Sequence, residues 1–380
     1  MYKKLLFPLV ALLFLSCESK KKHEVIKSFC YWKTDSYFGQ EEDTLAKQMN
    51  LKHMYVRFFD VDWNPYAEEA QPVATVYNIR ITDGLNITPS IFITNDVLLN
   101  SSKPQLDILS ERMAIRIKKI IDKYQTEKAS ALAYKIADAD YERQKGNAFQ
   151  SRLSTDSIII AEKPKFERDI QELLFDCDWT ESSKENYFYL LEKLKSKFSN
   201  YKIASTIRLW QYKYYEKAGI PPVDKGLLMC YNMTNPTEYK TKNSIGTSDE
   251  LADYITHDKY PLELDIALPL FSWSVLFRGG KFKGVISDYQ EFEKSPTIFK
   301  KTDDNKYTLQ DDIQIGNFYA RNGDEIKIEK ISDEEIDEMI DIITEKVKIS
   351  NTTKVTFFSF DKKYINDYGV QNISKYYESF

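Results

Sequence analysis

Leu173–Phe198 reads LLFDCDWTESSKENYFYLLEKLKSKF. It begins as a short apolar strand. Side chains alternate faces along a strand, so Asp176, Asp178 and Thr180 share one side while Cys177 and Trp179 share the other, with Trp179 directed into a helix layer. A helix is expected at once: Ser182 with Glu185 reads as a capping box, and Tyr187, Leu191, Leu194 and Phe198 fall on one helical face. A strand that ends in carboxylates and runs straight into an amphipathic helix is how barrels and open α/β sheets place a site at their carboxyl edge.

Seven further strands follow from apolar runs on either side. They are Ser28–Trp32, His53–Trp63, Ile87–Thr94, Ile203–Trp210, Gly226–Met233, Leu262–Leu270 and Lys354–Asp361. The second carries Arg57 inside it and Asp60 and Asp62 at its end. Helical spacing predicts Leu106–Tyr124 and Ser332–Val347, the latter with Ser332 and Glu335 as a capping box. Eight strands in β-then-α order predict the α/β class and a (β/α)8 TIM barrel over residues 28–380. Residues 129–164 break the rhythm as a partly helical insertion before strand 4. Residues 271–322, with Gly279-Gly280, form an elaboration after strand 7.

With 380 residues and 42% apolar content the chain can bury a large core. A net charge of −5 argues against a nucleic-acid partner, which requires a clustered basic field. Lys3 and Lys4 precede the apolar run Leu5–Leu15 and then Ser16-Cys17. The run is short for a bilayer span, and it resembles a bacterial lipoprotein signal. Residues 1–16 are then a signal peptide, Cys17 the lipidated residue and residues 17–27 a tether, with the mature protein lipid-anchored in the bacterial envelope, at the outer membrane or cell surface. The competing reading is an ordinary secretory signal with an incidental cysteine. Cys30, Cys177 and Cys230 give no disulfide framework and suit buried positions. The isolated histidines His23, His53 and His257 signal neither a metal site nor a His-based triad, and no cofactor is expected.

Strands 4, 6 and 8 resemble those of family-18 glycoside hydrolases, the chitinase-like barrels. That family ends its fourth strand in Asp-x-Asp-Trp-Glu before a Phe-x-x-Leu-Leu helix; here the run is Asp176-Cys177-Asp178-Trp179-Thr180, followed by Tyr187-Phe188-Tyr189-Leu190-Leu191. The family's Met-x-Tyr-Asp corresponds to Met229-Cys230-Tyr231-Asn232, and its eighth-strand Trp to Phe358. The run is also similar to one in bacterial lipoproteins of unassigned activity. The resemblance implies an oligo- or polysaccharide partner, with Asp178 and Tyr231 stabilising an N-acetyl-derived intermediate. The family's acid, however, is the Glu after the Trp, and Thr180 stands there. A threonine hydroxyl does not donate a proton near neutral pH. Glu181 is one residue later; strand alternation aims it outward, and a sharp turn before Ser182 aims it inward.

The candidate catalytic residues are therefore Asp176, Asp178, Glu181 and Tyr231. Asp62, Arg57 and Asn232 are candidate polar contacts to substrate, and Trp63, Trp210, Trp273 and Phe358 candidate sugar-stacking rings. Three functions fit: a glycan-binding lipoprotein without chitinase-type hydrolysis, an active glycoside hydrolase with a relocated acid, or a scaffold lipoprotein.

Overall fold

Eight parallel strands close on themselves in the computed structural model, which describes residues 23–34, 36–143, 154–257, 259–287, 292 and 294–380. They are β1 (Ile26–Tyr31), β2 (His53–Asn64), β3 (Asn86–Ile93), β4 (Glu172–Asp176), β5 (Lys202–Arg208), β6 (Lys225–Met229), β7 (Leu264–Pro269) and β8 (Lys354–Phe358). Each pairs with the next, and β8 pairs back to β1 through Ile26 opposite Lys354 to Cys30 opposite Phe358. The molecule is thus a (β/α)8 TIM barrel, as expected. The predicted signal segment, Cys17 and residues 17–22 of the tether lie outside the described residues.

The strands are apolar runs because a parallel barrel is covered on both faces. Every residue of β4 is buried, Glu172 and Asp176 included. The helix after it, Lys184–Lys197, buries Tyr187, Leu190, Leu191 and Leu194. In chain order the principal helices are α1 (Gln40–Gln48), α2 (Lys103–Arg143), α3 (Thr155–Glu162), α4 (Lys184–Lys197) and α5 (Asp333–Lys346). In α5 the Ser332 side chain accepts the Glu335 N–H, and Ile336, Met339, Ile340 and Ile343 are buried.

Two regions depart from the plain repeat. The helix expected to stop near Tyr124 runs on to Arg143, 41 residues in all. Its second half lacks Gly and Pro and carries five Ala, the strongest helix former. At 1.5 Å per residue it is about 60 Å long, so it outruns the barrel wall, and α3 packs back against it. After β7 the chain builds an antiparallel sheet of five strands, ordered Lys281–Ile286, Ser272–Arg278, Glu325–Lys330, Lys306–Leu309, Phe299–Asp303. Leu276, Phe299, Tyr307, Leu309 and Ile326 belong to its own small core. This elaboration reaches Lys330 rather than Asn322, because the last strand, EIKIEK, hides its signal in charge. Lys327 and Glu329 are buried as an ion pair at 2.7 Å.

The amino-terminal end of the barrel is plugged by polar side chains. Lys354 Nζ lies 2.8 Å from Glu172 and 3.2 Å from Asp265, and Lys225 Nζ lies 2.6 Å from Asp265. The Tyr55 hydroxyl donates to Asp265 at 2.9 Å. Burial alone would lower the Lys354 ammonium, but Asp265 and Glu172 outweigh it and hold its pKa above the ordinary value. His53 bridges Ser28 and Thr88, both at 2.8 Å. Burial, then the charges of Lys354 and Lys225, push its pKa well below the usual value, so it is neutral. These charges lie at the strand-start end, away from the carboxyl ends where a barrel builds its site.

Candidate functional site

The carboxyl ends of β1, β4, β5, β6 and β8 converge on a cavity of about 170 Å³. Its polar lining is Asp176, Asp178, Thr206, Arg208, Tyr231 and Asn232; its apolar lining includes Trp32, Phe92, Met229 and Phe358. These are strand ends and the residues just past them, which is where the topology lets side chains from different strands meet.

Asp176 is the last residue of β4 and only 7% exposed. It accepts a hydrogen bond from Thr206 Oγ1 at 2.7 Å. Burial, and then the nearby Asp178 charge, raise its pKa to about 7; Thr206 and Arg208 oppose this, and Asp60 adds to it. Near neutral pH it is therefore shared between a hydrogen-bond donor and an anion.

Asp178 lies two residues beyond the end of β4, so strand alternation does not govern it. Its position is set by Arg208, the last residue of β5, in a two-pronged ion pair: Nε to Oδ1 at 2.7 Å and Nη2 to Oδ2 at 2.8 Å. Forked pairs of this kind are geometrically specific. The third guanidinium nitrogen, Nη1, is buried and has no hydrogen-bond partner among the described residues. Gln211 holds the fork in place. Fully buried, it accepts the Arg208 N–H at 2.7 Å and donates to the Trp179 carbonyl at 3.0 Å, joining the two chain segments that carry the pair.

Tyr231 is 5% exposed and stacks on Phe358, with ring centroids 5.4 Å apart. Its hydroxyl has no hydrogen-bond partner among the described residues. Burial pushes its pKa well above the ordinary phenol value, so it is a donor. Asn232 is exposed with φ of 54°, the left-handed region that asparagine tolerates best after glycine. The wall behind it is braced by the elaboration: Glu329 accepts the Ser244 N–H at 3.0 Å and the Trp273 indole N–H at 2.7 Å.

The remaining sequence candidates are elsewhere. Glu181 is exposed and pairs with Lys217 at 3.1 Å, outside the cavity lining. The turn before α4 does not re-aim it: Ser183, not Ser182, stands at the helix start, and its Oγ accepts the Thr180 N–H at 2.9 Å and donates to Asn95 at 2.6 Å. Thr180 Oγ1 is spent on Ser182, 2.9 Å away. Arg57 is forked onto Asp60 of its own strand. Asp62 is exposed and accepts from Thr94 at 2.9 Å, while Trp63 packs against the barrel core. Trp210 falls not on β5 but in the short helix Leu209–Lys213 that follows it. Trp273 is held against Glu329 and Phe271. None of these lines the cavity, whereas Phe358 does. Trp179 is buried against Tyr187 in the helix layer, its indole donating to the Ala218 carbonyl at 3.1 Å.

Arg208, Thr206, Gln211 and Trp32 were not among the candidate site residues read from the sequence. Arg208 and Thr206 were legible as alternate residues of IASTIR, facing the same side as the β4 carboxylates. Nothing in the run WQYK marks Gln211. Among the described residues no group of three or more His, Cys, Asp or Glu is placed to hold a metal, and no helix is long and apolar enough to cross a membrane.

No protein-family model matches the chain, and no curated protein matches it in sequence. Among solved structures it is similar to the Bacillus cereus spore cortex-lytic enzyme SleL: 13% identity, TM-score 0.48, covering 95% of this chain and 75% of that one. It is also similar to chitinase ChiA74 from Bacillus thuringiensis, at 10% identity and TM-score 0.40, covering 90% and 66%. The Legionella pneumophila ChiA C-terminal domain matches at 10% identity and TM-score 0.35, covering 92% and 96%. The barrel assignment rests on the strand pairings rather than on these likenesses.

Proposed function

We propose that this chain is a lipid-anchored envelope protein whose barrel binds a glycan at the Asp176–Asp178–Arg208 cavity without chitinase-type hydrolysis. The observation that carries this reading is the fork between Arg208 and Asp178. It occupies both oxygens of the carboxylate that the family-18 resemblance makes the stabiliser of a reaction intermediate. The slot of that family's acid is Thr180, and Glu181 is drawn to Lys217. What the cavity retains is recognition chemistry: the free Arg208 Nη1, the Tyr231 hydroxyl and the Asn232 amide, beside the ring faces of Trp32 and Phe358. A few convergent polar groups with aromatic walls are the usual make-up of a small-ligand pocket.

A second reading has one observation in its favour. Asp176 is buried with a pKa of about 7, the range in which a carboxyl serves as general acid at neutral pH. An active hydrolase would then use Asp176 as its relocated acid. The scaffold reading has no such observation behind it.

Saccharide-dependent thermal stabilisation across a panel of N-acetylated and neutral oligosaccharides, run beside a reducing-end assay, separates the readings. Stabilisation without turnover supports binding. Turnover lost in Asp176→Asn supports the hydrolase. Stabilisation by no glycan removes both. The anchor is tested separately by metabolic labelling with a fatty acid: incorporation lost in Cys17→Ser supports it, and an unlabelled wild type refutes it.

A further inference from the structure

A larger cavity, about 380 Å³, opens at the opposite end of the barrel, where β6, β7 and β8 begin. Lys225, Lys259, Lys346 and Lys348 line it against one carboxylate, Glu263. Lys225 is committed to Asp265 at 2.6 Å, and Lys346 lies 3.4 Å from Glu345. Lys259 and Lys348 have no ion-pair or hydrogen-bond partner among the described residues. Tyr260 forms part of the wall, its ring stacked on Tyr212 with centroids 5.2 Å apart. Its hydroxyl is buried and has no partner among the described residues. Burial raises its pKa well above the ordinary value, so it remains a donor.

Helix electrostatics explain part of this. Lys346 and Lys348 sit at the carboxyl end of α5, where the helix dipole favours cations. That accounts neither for Lys259, which comes from the loop before β7, nor for the orphaned hydroxyl, whose burial without a partner is unfavourable. A cavity that gathers excess positive charge and an unused buried donor is complementary to an oxyanion.

We propose that this second cavity binds a phosphate-type oxyanion, with Lys259 and Lys348 supplying charge and Tyr260 a hydrogen bond. Two sources share that chemistry: a soluble phosphate or phosphorylated glycan, and a phospholipid headgroup. The lipid source rests on the proposed anchor at Cys17, since β1 also begins at this end of the barrel, with Ile26 opposite Lys354.

The test is calorimetric titration of the full chain in nonionic detergent with inorganic phosphate, at ionic strength held constant with sodium chloride. Saturable binding is expected, weakened at least about tenfold in the Lys259→Gln/Lys348→Gln double variant and several-fold in Tyr260→Phe. Vesicles of phosphatidylglycerol and of phosphatidylcholine separate the sources. A wild-type preference for the anionic vesicles that the double variant loses identifies the headgroup; equal partitioning with the phosphate difference intact identifies a soluble ligand. No saturable phosphate binding, or a double variant that binds as tightly as wild type, overturns the proposal. The substitutions at Lys259 and Lys348 remove no ion pair, so loss of binding without loss of melting temperature is a clean readout.

Discussion

Asp176 carries a pH signature that can be read without knowing the ligand. Its pKa rises from the ordinary 3.8 to about 7 in the folded chain, burial being the largest cause and Asp178 the next. The folded state therefore binds this proton more tightly than the unfolded state does. Its contribution is fully present below about pH 4 and is lost as pH rises through about 7, so on this account alone stability falls across that window. Asp176→Asn is expected to flatten the fall. Urea unfolding at several pH values checks this; a variant with the wild-type slope would show that Asp176 titrates normally. The Arg208–Asp178 fork makes a second prediction. Arg208→Gln should destabilise by about 1–2 kcal/mol, less than a buried pair because Asp178 is 44% exposed. In a double-mutant cycle with Asp178→Asn the two losses should fall short of additive. Gln211→Leu should cost about 1–3 kcal/mol, since it strips a partner from both the Arg208 N–H and the Trp179 carbonyl. Simple additivity in the cycle, or a neutral Gln211→Leu, would remove the positioning role given to these contacts.

At the scale of elements, the join between β4 and α4 is where sequence patterning and structure part company. Eight strands and the helices behind them were legible because parallel strands are apolar throughout and helices repeat their apolar residues every three to four positions. The strand-end residues were legible too: Asp176, Tyr231 and Phe358 all reach the cavity. Period two, however, ends with the strand. Asp178 is in the cavity because Arg208 holds it, and Glu181 is out of it because the turn is governed by Ser183. Two serines in a row give no rule for choosing the one that stands at the helix start and orders the turn. Ser183 is fully buried and links the turn to Asn95, whereas Ser182 is exposed. Ser183→Ala removes the partner of the Thr180 N–H and of Asn95, so it is expected to lower stability by about 1–2 kcal/mol, and Ser182→Ala by under about 0.5 kcal/mol. Equal effects would contradict the role given to the Ser183 hydroxyl in this turn. The strand starts were harder still. Nothing in the sequence marks Glu172, Lys225 and Lys354, at the starts of their strands, as buried; barrel closure gathers them around Asp265.

At the scale of the whole molecule, the two ends of the barrel divide the work. The amino-terminal end is closed by paired charges and carries the lysine-lined cavity. The carboxyl end carries the aspartates, the arginine fork and the aromatic wall, braced from one side by the sheet inserted after β7. The resemblance to chitinase-like barrels and the departures from it meet at one carboxylate, Asp178, whose oxygens are both held by Arg208. The carboxyl end is proposed to recognise a glycan without cleaving it. The most direct test is to incubate the full chain with the oligosaccharide panel and follow melting temperature and reducing ends on the same samples. At least one oligosaccharide is expected to raise the melting temperature, Asp178→Asn or Arg208→Gln to abolish the rise, and no reducing ends to appear. Release of reducing ends by the wild type, lost on Asp176→Asn, would contradict this proposal.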